Sequence, residues 1–242
     1  MNQIVIKLAE VNILISFKYA MTKRYFEGFE TTEQNQYEIH LAKHRLDEER
    51  DMLSLKFPLK KFKDYEIEIN ALYREIPKIL FKEKVILIHG VLVSMDEKGY
   101  LFTAPSGTGK STHGELWTKA FPCRARIING DKPLLKLTDT GVIAFGSPWK
   151  GKEKIGTTQS VQLKTICLLH RGVTNSIKKV AFDSNSLLWL LQQSQIVGME
   201  FTTTDRIRWF KSATQFVPLY EMNCNISEDA AKIAYNGFNC SP

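Results

Sequence analysis

The segment Ala104-Pro105-Ser106-Gly107-Thr108-Gly109-Lys110-Ser111-Thr112 has the residue types needed to hold a polyphosphate. It matches G-x-x-x-x-G-K-[ST] at each defined position but the first, where Ala104 stands. Gly107 and Gly109 let the backbone curl so that successive N–H groups face phosphate oxygens. A helix starting there adds the positive end of its dipole. Lys110 would set an ammonium against the β- and γ-phosphates, and the Ser111 hydroxyl would join the phosphates in holding Mg²⁺. Ser106 through Thr112 are thus the candidate nucleotide-binding residues.

Such a loop fixes phosphate binding but not reaction type. Phosphoryl transfer also needs an acid near the metal and a group to receive the acceptor's proton. Asp131 follows the first short strand after the loop's helix, where a Walker-B-type carboxylate sits, although Asn129-Gly130-Asp131 is also ordinary turn composition. His89 is the one polar side chain in the run Val85 to Val93. It is either a satisfied core histidine or an active-site group. Gly90 beside it suggests a bulge or the close approach of a ligand. Lys150-Gly151-Lys152-Glu153-Lys154 is either an exposed basic loop or a clamp over the triphosphate, with Lys152 the candidate catalytic cation and Glu153 a candidate second carboxylate. His113 either points at the nucleotide or packs against the sheet. His40 and His44 have i, i+4 spacing but no evident third ligand and charged neighbours, which favours a solvated face over a metal pair.

The elements that must position these groups can be read around them. Val85–Val93 reads as one apolar strand, Asp96–Gly99 as a turn, and Tyr100–Thr103 as a strand running into the loop. Leu116, Trp117, Ala120 and Phe121 form one face of the following helix, which stops at Pro122. Further strands are expected at 126–128, 133–137, 142–145, 165–169 and 217–223, with the Thr138–Gly141 segment closing a hairpin. Helices are expected from Asp183 or Ser184 to about Val197, over Asp205–Ala213, and from Ser227 to Gly237. Upstream, Ile4–Lys7, Val11–Phe17 and the alternating Tyr65–Ile69 suggest strands. Thr31–Asp51 is polar and compatible with a solvated helix or edge strands. Ala71–Phe81 has helical spacing, with Pro77 arguing for a kink or a late start.

The 242 residues carry a net charge of +7, with 43% hydrophobic and 24% charged residues, which excludes disordered and fibrous classes. The apolar runs are too short to span a bilayer, and Lys7 and Glu10 interrupt the first of them, so no membrane partner or signal peptide is expected. Cys123, Cys167, Cys224 and Cys240 form no CxxC and are expected as free thiols of a cytoplasmic protein. The basic cluster Lys60-Lys61-Phe62-Lys63 comes without a nucleic-acid reader motif, so no nucleic-acid partner is expected.

His89-Gly90-Val91-Leu92-Val93, a turn, a strand and Pro105–Ser111 closely resemble the catalytic domain of the bacterial HPr kinase/phosphorylases, which share their fold with the phosphoenolpyruvate carboxykinases. Thr112-His113, Leu116-Trp117, Ile128 to Leu135, Gly146-Ser147-Pro148-Trp149 and Gly151-Lys152-Glu153 are similar to the small HPr-kinase-related proteins linked to peptide-modification gene clusters. The resemblance spans residues 84 to about 240. Strands and helices interleave from Lys84 on, so the main domain is expected to be α/β, and the resemblance implies a P-loop kinase domain of that type with a mixed sheet over 84–242; the β-type segments upstream suggest a small β-containing region over 1–83. The resemblance also implies ATP and Mg²⁺ as cofactors, with Ser111 and Asp131 at the metal, His89 in the active site, and a hydroxyl acceptor on a peptide, protein or small molecule. The family usually presents two consecutive acids where this chain has Gly130-Asp131, and the arginine-rich loop that accompanies HPr binding has no match. The alternative function is a non-catalytic nucleotide-binding accessory module of a peptide-modification system. Carboxykinase-type decarboxylation lacks its oxaloacetate-binding arginines.

Overall fold

The computed structural model describes residues 2–195 and 201–239. These form two compact units, one holding the described residues through Glu83 and the other those from Lys84 onward.

In the first unit, β1 (Asn2–Leu8) and β2 (Val11–Phe17) pair antiparallel across a tight turn in which Ala9 and Glu10 both take positive φ. Then come α1 (Ala20–Tyr25), β3 (Tyr37–His40), which pairs parallel to β2, α2 (Lys43–Lys56) and α3 (Asp64–Lys82). The polar stretch from Thr31 thus supplies both an edge strand and the start of a helix. Tyr65–Ile69, expected as a strand, instead opens α3. Its Ile67 continues into Ala71, Leu72, Ile76 and Leu80, all buried, and this longer helical stripe overrides the short alternation. Pro77 lies inside the helix, buried between Ile76 and Leu80, so packing on both sides carries the helix past the missing N–H.

The second unit comprises β4 (Val85–Ile88), β5 (Gly90–Met95), β6 (Lys98–Thr103), α4 (Lys110–Ala120), β7 (Ala125–Asn129), β8 (Leu134–Thr138), β9 (Gly141–Phe145), β10 (Ser160–Arg171), β11 (Ser176–Val180), α5 (Ser184–Gln193), β12 (Ser194–Gln195), α6 (Thr203–Ala213), β13 (Leu219–Cys224) and α7 (Glu228–Asn239). Its strands make one mixed ten-stranded sheet. The main path runs β12-β4-β8-β9-β10-β6-β5-β7, and β13 and β11 branch from β10. The long β10 makes the fork: its start pairs with β9 antiparallel and its end with β13 parallel, while its other edge pairs with β6. The fold is mixed α/β.

Three expectations change here. The apolar run Val85–Val93 is not one strand. It breaks at His89, because the His89 N–H donates to Gln193 O (2.8 Å) and the Gly90 N–H to Asp131 O (2.8 Å), so the chain passes from the ladder of β8 to that of β6 and β7. The helix α7 runs through Gly237 to Asn239, with Phe238 buried against Tyr100, Phe102, Trp117 and Tyr220. The helix α5 is capped by Asp183 as expected but ends at Gln193; its expected end at Val197 lies outside the described residues, as does Cys240. The other three cysteines are free thiols. Among the described residues no helix is long and apolar enough to cross a membrane.

Gly90 is required by a neighbouring strand: a Cβ there would lie 2.8 Å from Phe102 O and 2.8 Å from Leu101 Cδ1. Gly90→Ala is therefore expected to lower unfolding stability by roughly 1–3 kcal/mol, read as a lower urea midpoint at unchanged m-value. An unchanged midpoint would show that β5 and β6 tolerate the extra methyl.

Candidate functional site

The loop between β6 and α4 takes its shape from Gly107 (φ +81°) and Gly109 (φ +114°). Nothing lies within 4 Å of where either Cβ would stand, so conformation and not crowding demands glycine. Lys110 therefore opens α4, and the first bond across the helix is His113 N–H to Gly109 O (2.9 Å). The amides of Lys110, Ser111 and Thr112 precede that ladder, at the positive end of the helix. The Lys110 ammonium is buried and donates to the loop's own carbonyls, Ala104 O (2.9 Å) and Pro105 O (3.2 Å). Burial lowers its pKa; Asp131 and Glu153 oppose that and Lys132 adds to it. Arg171, at the end of β10, grips the loop from behind, with its Nε donating to Thr108 O (3.2 Å) and its Nη2 to Gly107 O.

The loop walls a cleft of about 480 Å³. Ser106, Gly107, Gly109, Lys110, Ser111 and Thr112 line one side, and His89, Asp131, Lys152 and Glu153 line the other. Of the expected nucleotide-binding residues, Thr108 does not line this cleft. Its N–H is tied to Pro105 O (3.3 Å) and its carbonyl to Arg171, and it faces a second cavity.

The His89 Nε2 lies 3.3 Å from Asp131 Oδ1, and Lys132 Nζ contacts Asp131 Oδ2. Burial pushes the Asp131 carboxyl up, but the hydrogen bonds and charges of His89 and Lys132 outweigh it and the net shift is downward. Asp131 is thus an anion at neutral pH. The strand break places His89: its carbonyl accepts from Thr103 Oγ1 (2.7 Å) at the end of β6, directly before the loop.

Asp131 is held by a residue that composition alone reads as a turn former. Asn129 is fully buried. Its Oδ1 accepts from the N–H groups of Asp131 (3.0 Å) and Lys132 (2.7 Å), and its Nδ2 donates to Ser147 O (3.2 Å) and Ser147 Oγ (3.1 Å). The Ser147 hydroxyl donates to Lys132 O (2.6 Å), closing the lock. The Lys150–Lys154 loop folds onto the same turn. Gly130 N–H donates to Ile155 O (2.9 Å), and a Cβ on Gly151 would lie 2.7 Å from Asp131 Cβ. This close approach brings Lys152 and Glu153 into the cleft. At Gly130, by contrast, a Cβ would meet its nearest neighbours at 3.6 Å, so space does not forbid an acid there.

The other candidate histidines, His113, His40 and His44, lie outside the cleft. His113 packs against the sheet: its Nε2 accepts from Trp117 Nε1 (3.1 Å), its ring meets Phe102 edge-on, and burial lowers its pKa to about 3. His40 lies in β3 and His44 in α2, so they share no helix face, and His40 Nδ1 is 2.7 Å from Ser16 Oγ. Among the described residues no group of three or more His, Cys, Asp or Glu could hold a metal by itself. The oxygen donors in the cleft, Ser111 and Asp131, fit Mg²⁺, which binds through one or two protein oxygens together with phosphates and water. Lys132, Asn129 and Ser147 build the site but enter the sequence reading only inside the segments of the resemblance, with no role assigned, and Arg171 does not enter it. The adjacent Asp131-Lys132 pair was a usable signal for the first; the others act across long sequence separations.

No family model matches the chain, and no curated protein does. Among solved structures, the Hpr(Ser) kinase/phosphatase from Coxiella burnetii is similar, with 11% sequence identity over 62% of this chain and 94% of that chain, at a TM-score of 0.36. A likeness at that level bears on neither the site nor its chemistry.

Asn129→Ala removes the acceptor for two main-chain donors and is expected to cost roughly 1–3 kcal/mol of stability, measured by chemical denaturation. Asn129→Asp keeps the Oδ1 acceptor but sets a buried carboxylate oxygen against Ser147 O in place of the Nδ2 donor, and is expected to cost at least as much. An unchanged midpoint in Asn129→Ala would mean that the Oδ1 bonds do not hold the Asp131 turn.

Proposed function

We propose that this chain is a Mg²⁺-dependent, ATP-binding phosphotransferase of the HPr serine kinase kind, passing the γ-phosphoryl group to a hydroxyl of a peptide, protein or small molecule. The observation that carries this reading is the meeting, in one cleft, of the glycine loop with Lys110, the His89–Asp131 pair and Lys152. The loop amides and Lys110 hold the β- and γ-phosphates, and the ammonium exchanges the carbonyls of Ala104 and Pro105 for phosphate oxygens. Arg171 keeps the Gly107 and Thr108 carbonyls turned away from the anion. Ser111 and Asp131 would hold Mg²⁺, which when bound neutralises charge on the bridging phosphates.

In the transfer itself, the acceptor oxygen bonds to the γ-phosphorus as the bond to the β–γ bridging oxygen breaks, and ADP leaves. His89 takes the hydroxyl proton, with its Nε2 held by Asp131. An acid as well paired as Asp131 keeps its charge and orients the imidazole more readily than it accepts a proton itself. Lys152 offsets the charge on the transferring group.

Two observations favour the accessory-module reading: position 130 carries no acid, and both Asp131 oxygens already have side-chain partners, His89 and Lys132.

Single-turnover transfer from γ-labelled ATP to serine- and threonine-containing peptides and to small hydroxyl compounds separates the two. Lys110→Ala should lose ATP binding. Asp131→Asn should bind ATP and transfer about 100-fold more slowly or worse. Transfer by Lys110→Ala at the wild-type rate would overturn the assignment of the loop. Tight ATP binding by the wild type, with neither transfer nor hydrolysis, would establish the module instead.

A further inference from the structure

The junction of α2 and α3, in the first unit, carries a surface that the cleft does not use. From Met52 to Lys63 the chain has four lysines, Lys56, Lys60, Lys61 and Lys63, and no acid, interleaved with leucines and phenylalanines. The helix α2 buries Leu53. Leu55 lies about 200° further round the helix, so it faces water, 84% exposed. Phe57 N–H ends α2 on Leu53 O (2.9 Å), and Lys60 N–H donates to Phe57 O (3.0 Å), which makes a turn with Pro58 at its second position. Leu59 stands third in that turn and is 100% exposed.

The rings of Phe57 and Phe62 meet at 5.9 Å and brace the turn. Lys56 Nζ lies over the first ring (5.5 Å to its centroid) and Lys60 Nζ over the second (4.2 Å). The acids beside the segment are Asp51, Asp64 and Glu66. Asp64 pairs with Arg50 (2.9 Å). Glu66 accepts the Lys63 N–H (2.8 Å) and reaches Lys60 Nζ at 3.5 Å. Among the described residues no carboxylate pairs with the ammonium of Lys56, Lys61 or Lys63.

We propose that this tip docks on an anionic lipid surface, with Leu55, Phe57 and Leu59 entering the boundary between headgroups and acyl chains while the four lysines meet the lipid anions. The charge of the segment selects a negative partner. The leucines select among negative partners. A side chain as exposed as Leu59 stands on a convex point, so a protein or peptide would have to bring the pocket, whereas a bilayer takes any protruding apolar group. A nucleic-acid backbone would use the lysines and give Leu55 and Leu59 nothing. Apolar insertion together with a basic collar is the pair of signals that reversible anchoring requires. Contact at a surface needs no spanning run, the feature whose absence argued against a membrane partner. The proposal uses no residue of the cleft and stands apart from the phosphate-binding reading.

Co-sedimentation of the full chain with vesicles of pure phosphatidylcholine, and with vesicles holding about 30% phosphatidylglycerol, tests the proposal. Wild type should bind the anionic vesicles at least about tenfold more tightly than the neutral ones. Raising salt from about 0.1 M to about 1 M shortens the Debye length from about 10 Å to about 3 Å and should remove most of that preference. Lys56→Gln combined with Lys61→Gln should weaken binding about 25-fold, at about fivefold per lysine. Lys178→Gln combined with Lys179→Gln, the same charge loss at exposed positions of β11, should change it less than about twofold. Leu59→Ser should weaken it about threefold or more, at an unchanged urea midpoint because the side chain is wholly exposed. Wild type without a preference for anionic vesicles would overturn the proposal. So would equal losses in the two lysine pairs, which would make the attraction one of net charge, or Leu59→Ser binding as wild type does. A Leu59-dependent dimer in lipid-free ultracentrifugation would assign the tip to a second copy instead. Polyglutamate or duplex DNA bound more tightly than the anionic vesicles would assign it to those partners.

Discussion

The left-handed turns at Gly107 and Gly109 decide where the first turn of α4 aims its N–H groups. Every other feature of the cleft is arranged around that aim. The Lys110 ammonium is already buried beneath the loop, bonded to its carbonyls, so a phosphate can replace existing partners without drawing a charge out of bulk water. Arg171 holds the opposite face of the same backbone. A loop clamped on both sides loses little conformational freedom when it meets an anion, which is how preorganisation raises affinity.

The acidic half of the cleft is built on a different principle. Asp131 itself lies outside the strands and helices. It sits on a turn whose amides end on one buried side chain, Asn129, and Asn129 is in turn held through Ser147. The Gly90 N–H reaches Asp131 O from the break between β4 and β5, so the same main-chain bond that ends one ladder sets His89 beside the carboxylate. Fold and site are therefore one set of hydrogen bonds here, and the strand break is what allows an imidazole to sit at the loop's mouth.

The phosphate loop was legible in the sequence because its chemistry is contiguous: one short segment contains the glycines, the lysine and the hydroxyls. The strand break at His89 was not, since apolar residues flank it on both sides and its cause is a pair of bonds to Asp131 and Gln193, distant in the chain. Tyr65–Ile69 was misread because five residues fit a period of two as easily as the longer stripe of α3. The role of Gly90 was half legible. A bulge or the close approach of a ligand was the expectation, and what the backbone approaches is Leu101 and Phe102 of the next strand. Asn129 and Arg171 look unremarkable in sequence; their partners at Ser147 and at Gly107 and Thr108 become neighbours only when the sheet closes. His113 stood beside the motif but turned into the core, because Phe102 and Trp117 offer it an apolar and hydrogen-bonded seat.

The central claim is that a polyphosphate is gripped by the main chain at the start of α4. Amide nitrogen and proton shifts of Gly107, Gly109, Lys110, Ser111 and Thr112, followed while the Mg²⁺ complex of a non-hydrolysable ATP analogue is added, report on it directly. Large saturable shifts concentrated on those amides, with smaller ones through the rest of the sheet, are the predicted result. A titration that leaves these amides unmoved, or that shifts residues elsewhere instead, would contradict the account.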